Sequence, residues 1–431
     1  MAWSPAYSPF LVNGERDFGG SGPLPLRRLF HQAGFAGYWL FLLDPLTLLV
    51  FRQRAGGYDS VDASASIQIA HTLVAFVYAV SYLFSPRNRQ ASRALLSSPT
   101  VFFVAYCLLC MISALWSPKP SYSAFMAFQC LAYFMLVVAA VQEVNGRCAP
   151  QDVIEWTMLW VAWAVFWLVV RDVRWMGFGH LLYPFTSARL YTGMFFFWAL
   201  YLSRRRSLSW LIAAFAILSV SNKNYFGILP AVFLAAILGD RKSKLLAFGL
   251  IGAAIFGIMT FGIEDVLQNT LFYGKEGVGW EHSTGRDKMW TLGWQLCMDK
   301  PLAGYGFVAG ERDVLSAMMG QSAHGMHNML LSAFVAVGFL GPLLLILYFL
   351  GVSMLCLAKS IPPTWRFVFS ATVWMVLVIS LMGPSLGGRV YGAWLSSVIL
   401  MTVITGLCRR QDVQIGGDRG VVMQTIAQEW P

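Results

Sequence analysis

The chain is 431 residues long, with 57% hydrophobic and only 12% charged residues. Soluble domains carry about 25% charged residues, so this composition excludes an ordinary water-soluble enzyme and points to a lipid environment. The net charge of +10 does not mark a nucleic-acid partner, because the lysines and arginines sit in short stretches between apolar runs.

Residues 1–34 are polar and rich in Gly and Pro. They lack the apolar core and small-residue cleavage site of a secretory signal, and are expected to form a cytoplasmic N-terminal segment. About twelve apolar runs follow, at 35–51, 67–84, 100–116, 123–142, 153–170, 187–203, 208–220, 225–239, 245–262, 327–358, 365–382 and 391–408. Most of them reach the roughly 17–25 residues that a helix needs to cross hydrocarbon. The expected fold class is therefore an all-α polytopic membrane protein of about twelve transmembrane helices with one long, folded extracytoplasmic loop. Residues 35–262 hold the first nine spans, 263–326 the loop, 327–408 the last three spans and 409–431 a cytoplasmic tail, disordered from 411 onward. Run 327–358 is too long for one plain crossing, and Gly338, Gly341 and Pro342 mark where it kinks or breaks.

Orientation follows from the basic stretches. Arg87, Arg89 and Arg93 form one group, Arg204, Arg205 and Arg206 a second, and Arg241, Lys242 and Lys244 a third. Lys359 with Arg366, and Arg409 with Arg410, complete the set. Twelve spans place all five groups on one side, which is the cytoplasmic side where positive loops collect. Loop 263–326 then lies outside. Its length exceeds the usual structureless connection, and Trp280, Trp290 and Trp294 imply that it folds. The seven cysteines have no metal-like spacing, and only Cys297 falls in the large polar loop, so no disulfide framework is expected. There is no internal repeat and no Walker-type phosphate loop.

Two patches in and after that loop carry the residue types of chemistry. The first is Ser283-Thr284-Gly285-Arg286-Asp287-Lys288-Met289-Trp290, followed by Pro301-Leu302-Ala303-Gly304-Tyr305-Gly306-Phe307. The second is His324-Gly325-Met326-His327-Asn328, then nine residues, then Gly338-Phe339-Leu340-Gly341. They put a guanidinium, which binds phosphate through a planar fork, and an imidazole, which moves protons near neutral pH, at one membrane face.

Arg-x-x-x-Trp with a following Pro-Leu-x-Gly-Tyr-Gly, then His-Asn-x9-Gly-x-x-Gly, resembles the bacterial O-antigen ligase and polymerase superfamily, over roughly residues 180–400. The resemblance implies a GT-C-like fold in the bacterial inner membrane, with the active site facing the periplasm. It implies transfer of a glycan from an undecaprenyl-pyrophosphate carrier to an acceptor hydroxyl. Polymerisation of surface or exopolysaccharide units is the leading expectation, and ligation to lipid A-core the alternative. The implied partners are the lipid-linked oligosaccharide, the acceptor glycan or lipid A-core, membrane lipids, and polysaccharide export or chain-length proteins.

Carried over by residue, Arg286 would hold the pyrophosphate, and His327 would act as general base or orient the acceptor. Lys223, in the turn Ser219-Val220-Ser221-Asn222-Lys223-Asn224, would supply the second cation. Arg189, His324 and Asn328 complete the candidate substrate-binding set. A lipid pyrophosphate is already activated, so its departure needs charge neutralisation, which Arg and Lys clamps provide as well as a metal does. No Asp-x-Asp pair lies in the expected outer segments, so neither metal nor cofactor is expected.

Blander roles compete at each position: a headgroup-snorkelling Arg286, a helix-capping His327, a structural His324, a solvated Lys223, and interfacial anchors at Arg189 and Arg389. Asn328 would support the imidazole or cap a helix. Asp44 and Glu155 fall inside apolar runs but match no motif position. A transporter or flippase would need related halves and ionisable groups at mid-membrane, and no repeat is present. A purely structural scaffold leaves the Arg and His patches without a purpose.

Overall fold

Helices make up nearly all of the described chain, and no strand occurs among the described residues. A computed structural model describes residues 34–45, 63–176, 241–262, 286–320, 326–382 and 397–410, with Trp198, Leu202, Ile237, Leu386, Gly387, Trp394 and Leu395. In chain order the main elements are α1 (Gly34–Pro45), α2 (Ala63–Leu83), α3 (Arg89–Leu96), α4 (Thr100–Ile112), α5 (Pro120–Arg147) and α6 (Pro150–Met176). They continue with α7 (Arg241–Phe261), α8 (Arg286–Asp299), α9 (Met329–Val337), α10 (Leu340–Cys356) and α11 (Pro363–Met382). A further helix, α12, covers residues 397–410. Among the described residues, three segments are long and apolar enough to cross a membrane: Ala65–Leu83, Pro120–Arg147 and Pro363–Leu381. The expected spans at 187–203, 208–220 and 225–239 lie outside the described residues, apart from Trp198, Leu202 and Ile237.

The centre of the bundle is α5. Every residue from Met126 to Val141 except Phe128 is buried, and a helix apolar on all sides belongs inside a bundle. Its 28 residues give about 42 Å of length, close to a bilayer with its headgroups. It touches α1, α2, α3, α4 and α6. Pro120 opens it, where a missing N–H costs nothing, and the Arg147–Glu143 ion pair at 2.7 Å carries it beyond the expected end at 142. Only Cys148 and Ala149 separate it from α6, so the expected loop 143–152 is mostly helix.

Several polar groups in this interior are matched to one another. Phe41 C=O would bond the N–H of Pro45, which has none; the Trp163 Nε1–H donates to it instead, at 2.7 Å. Trp39 Nε1–H donates to His71 Nε2 at 2.7 Å, and an indole N–H can only donate. His71 therefore carries its proton on Nδ1, 3.1 Å from Tyr133 Oη, and the three side chains tie α1, α2 and α5 together. Gln68 Nε2 donates to Gln129 Oε1 at 3.1 Å beside them. Nothing in the spacing of the sequence singled out His71.

Run 327–358 breaks at Gly338, whose φ is +73°. A Cβ there would stand 2.2 Å from Leu302 O, so only glycine fits. Nine residues of α9 reach about 14 Å, roughly half the hydrocarbon thickness, so α9 is no span by itself. The expected loop 85–99 contains α3, an amphipathic helix that the span pattern did not resolve.

Every one of the seven cysteines is free and buried, including Cys297, which α8 turns into a small core rather than into solvent. Burial pushes the Cys297 thiol up to about 12, so almost no thiolate exists at neutral pH. N-ethylmaleimide is therefore expected to label none of them in folded, detergent-solubilised protein and all of them in SDS, read by intact mass. Rapid labelling of Cys297 before unfolding would mean that α8 does not pack this way.

Candidate functional site

The segment from Pro301 to Phe307 forms a strap that closes the end of α9. The last four carbonyls of any helix lack internal donors. Here Tyr305 N–H donates to Val335 O at 2.7 Å and Gly306 N–H to Ala336 O at 2.9 Å, while Phe339 N–H returns a bond to Pro301 O at 2.8 Å. The strap is held from its other side too. Phe307 N–H donates to Ser113 Oγ at 3.0 Å, Ser123 Oγ to Phe307 O at 2.8 Å, and Trp116 Nε1 to Ala303 O at 2.8 Å. Pro-Leu-Ala-Gly-Tyr-Gly and Gly-x-x-Gly, read separately in the sequence, are thus two halves of one hydrogen-bonded assembly. Gly304, at φ +64°, lets the strap approach: a Cβ would lie 2.6 Å from Val335 O.

His327 sits where this assembly meets α8. Trp290 Nε1–H donates to Met326 O at 2.8 Å, and the Met326 side chain is fully buried in a small core with Leu296, Cys297, Leu315 and Val335. On the other side Asn328 is extended, and its Oδ1 accepts from Leu331 N at 3.0 Å, the usual cap of a helix start. Fixed at both neighbours, His327 takes a left-handed backbone at φ +51°. That conformation is uncommon outside glycine, although His, Asn and Asp adopt it more readily than others. The imidazole is half-buried. Capping therefore belongs to Asn328 and not to His327. Met329 O packs against Gly387, whose own carbonyl accepts from Tyr106 Oη at 2.8 Å, so the segment expected as loop 383–390 reaches the start of α9.

Of the candidate substrate-binding residues, Arg286 opens α8, one helical turn before Trp290, and its side chain lies outside the description. The structure thus brings the Arg286 helix and the His327 segment together through Trp290. Lys223, Arg189 and His324 lie outside the described residues, as does Arg389. Glu155 is buried and engaged in α6, and Asp44 lies in the last turn of α1. Among the described residues, no three His, Cys, Asp or Glu side chains converge as metal ligands would.

The sequence pattern missed a charged knot beside the strap. After Phe307, Val308 is held at φ +61° and the chain enters a π-helical turn, Gly310–Leu315. Left-handed backbone is costly for a β-branched residue, and single π turns recur at functional sites. Asp313 Oδ1 lies 3.7 Å from Lys119 Nζ, and the Arg312 guanidinium lies 5.0 Å above the Tyr122 ring. Asp313 Oδ2 is shielded from solvent and takes no hydrogen bond from the described residues. The available signal was Glu311-Arg312-Asp313, three consecutive charges in a chain with only 12% charged residues. The Lys119 and Asp313 side chains are 34% and 26% exposed, so solvent screens the pair. A double-mutant cycle on Lys119→Ala and Asp313→Ala should give a coupling of about 0.5–1 kcal/mol, read from unfolding in mixed micelles. Zero coupling would leave the π turn docked by packing alone.

The chain matches no protein-family model, and no curated protein is similar enough to count as a relative.

Proposed function

We propose that the protein is a glycosyltransferase of the bacterial inner membrane that moves a glycan from an undecaprenyl-pyrophosphate carrier to an acceptor hydroxyl on the periplasmic side. Polymerisation of lipid-linked polysaccharide units is its most natural task. The observation that supports this best is the union of the two motif patches, with His327 held in a left-handed backbone one residue from the carbonyl bound by Trp290. Such local strain survives only where its surroundings over-determine it, and it gathers at working sites.

In the proposed step the acceptor hydroxyl attacks the anomeric carbon, and its proton passes to the His327 imidazole. The bond from that carbon to the pyrophosphate oxygen breaks, and undecaprenyl pyrophosphate leaves with the negative charge. Arg286 and Lys223 neutralise that charge, and the direct displacement inverts the anomeric centre. The test is purified protein with undecaprenyl-pyrophosphate-linked repeat unit. A ladder of lengthening products indicates a polymerase, and transfer to added lipid A-core alone indicates a ligase. No transfer in either format removes the proposal.

The same proposal includes about twelve spans in a GT-C-like arrangement, with both termini cytoplasmic. Reporter fusions are expected to show periplasmic activity near position 290 and cytoplasmic activity at position 415. The reverse at either point would break the topology.

A further inference from the structure

We infer that α3 is a binding surface for anionic phospholipid headgroups, formed by Arg89 and Arg93. The helix lies between the membrane-crossing α2 and the apolar α4, which places it at a membrane surface. Its two faces are chemically distinct. Ala91 and Leu95 are 4% and 2% exposed and face the bundle, whereas Arg89 and Arg93, one turn apart on the opposite side, are exposed. Leu96 and the preceding Phe84 are 57% and 52% exposed, apolar groups placed to enter acyl chains beside the guanidiniums.

The helix is fastened by other residues, so these two arginines are not needed to hold it. Asn88 Nδ2 donates to Tyr82 O at 3.0 Å, Ser92 Oγ donates to Leu83 O, and Arg409 donates to Ala94 O at 3.2 Å and to Ser98 O. Arg410 is likewise turned inward, onto Asn145 O and Cys148 O at 2.8 and 2.6 Å. Arg89 and Arg93 meet no carboxylate within ion-pairing distance among the described residues, and residues 84–100 contain no Asp or Glu at all. Cations on an exposed, amphipathic, acid-free helix at a membrane surface complement phosphate diesters of net negative charge. Zwitterionic headgroups gain far less.

The experiment is native mass spectrometry of the full chain, delipidated in detergent and titrated with phosphatidylglycerol or phosphatidylcholine. Each arginine near a charged surface contributes about fivefold in affinity, so the pair should favour phosphatidylglycerol by about 30-fold. Arg89→Glu with Arg93→Glu should abolish the preference, while Arg89→Lys with Arg93→Lys should keep most of it. The control is Arg241→Ala with Lys244→Ala, at the start of α7, which should leave the preference intact. Equal binding of the two lipids by the unaltered protein overturns the inference. So does a preference that survives the charge reversal, or one that the α7 control removes. Circular dichroism of each variant separates lost binding from lost fold. Glycosyl transfer plays no part in any of these readouts.

Discussion

Gly304→Ala is expected to leave little folded protein after extraction, a large stability effect for a single added methyl. The added Cβ would stand 2.6 Å from Val335 O and 2.7 Å from Ala336 C and Val337 N, all of them backbone atoms that cannot swing aside. The position is also at φ +64°, which costs an L-residue about 1–2 kcal/mol before any contact is counted. Relief requires the strap to lift, and that strips Val335 O and Ala336 O of their donors, at about 1–3 kcal/mol for each buried group left unpaired. The sum is about 3–8 kcal/mol, a large part of the roughly 5–15 kcal/mol that holds a protein folded. Gly249→Ala is the control: it lies on α7 with nothing within 4 Å of the new methyl, and should be neutral or slightly stabilising. Thermal unfolding followed by intrinsic fluorescence measures both. A Gly304→Ala melting point within a few degrees of the parent would mean the strap is not the cap described.

Replacement of His327 by Ala is expected to lower turnover by about 10²–10⁴-fold, the usual worth of general-base assistance, with donor binding retained. A sugar hydroxyl is a poor nucleophile until its proton has somewhere to go, so the loss falls on the acceptor side. Arg286→Lys keeps the charge but loses the planar fork, and should cost rate through the leaving pyrophosphate. Donor binding and turnover measured side by side in nanodiscs separate the two roles. The base assignment fails if His327→Ala abolishes donor binding or leaves turnover near that of the parent. His327→Asn accepts the left-handed backbone without supplying a base. It distinguishes lost proton transfer from lost geometry: it should be as slow as the alanine variant.

Much of the helical architecture was legible because hydrocarbon imposes a simple requirement, a long apolar run with every backbone group satisfied inside it. The centres of α2, α5 and α11 fall within the predicted runs. Ends were less legible, because they depend on local chemistry that apolar runs do not encode. The Glu143–Arg147 pair and Pro150 turn an expected loop into helix. At the candidate site, the glycines were visible as motif positions but their pairing was not. Gly304 faces Val335 and Gly338 faces Leu302 across more than 30 residues of chain, a relation carried by shape rather than by spacing. Lys119 and Asp313 are further apart still, and neither is distinctive until the strap lays the π turn beside the start of α5.

The strap also has a consequence in time. It is synthesised after Ser113, Trp116 and Ser123, which hold one of its sides, but before Val335 and Ala336, which need its other side. At about 5–20 residues per second, α9 emerges a few seconds after the strap. During that interval the strap can dock only on the earlier helices, and waits there as half of a clasp. Once α9 arrives, its final carbonyls cannot stay in lipid unpaired, so burial of α9 and closure of the clasp become a single event. Fusing a chaperone-recruiting or bulky segment between residues 308 and 328 would therefore delay membrane integration of the last helices, although it touches none of them.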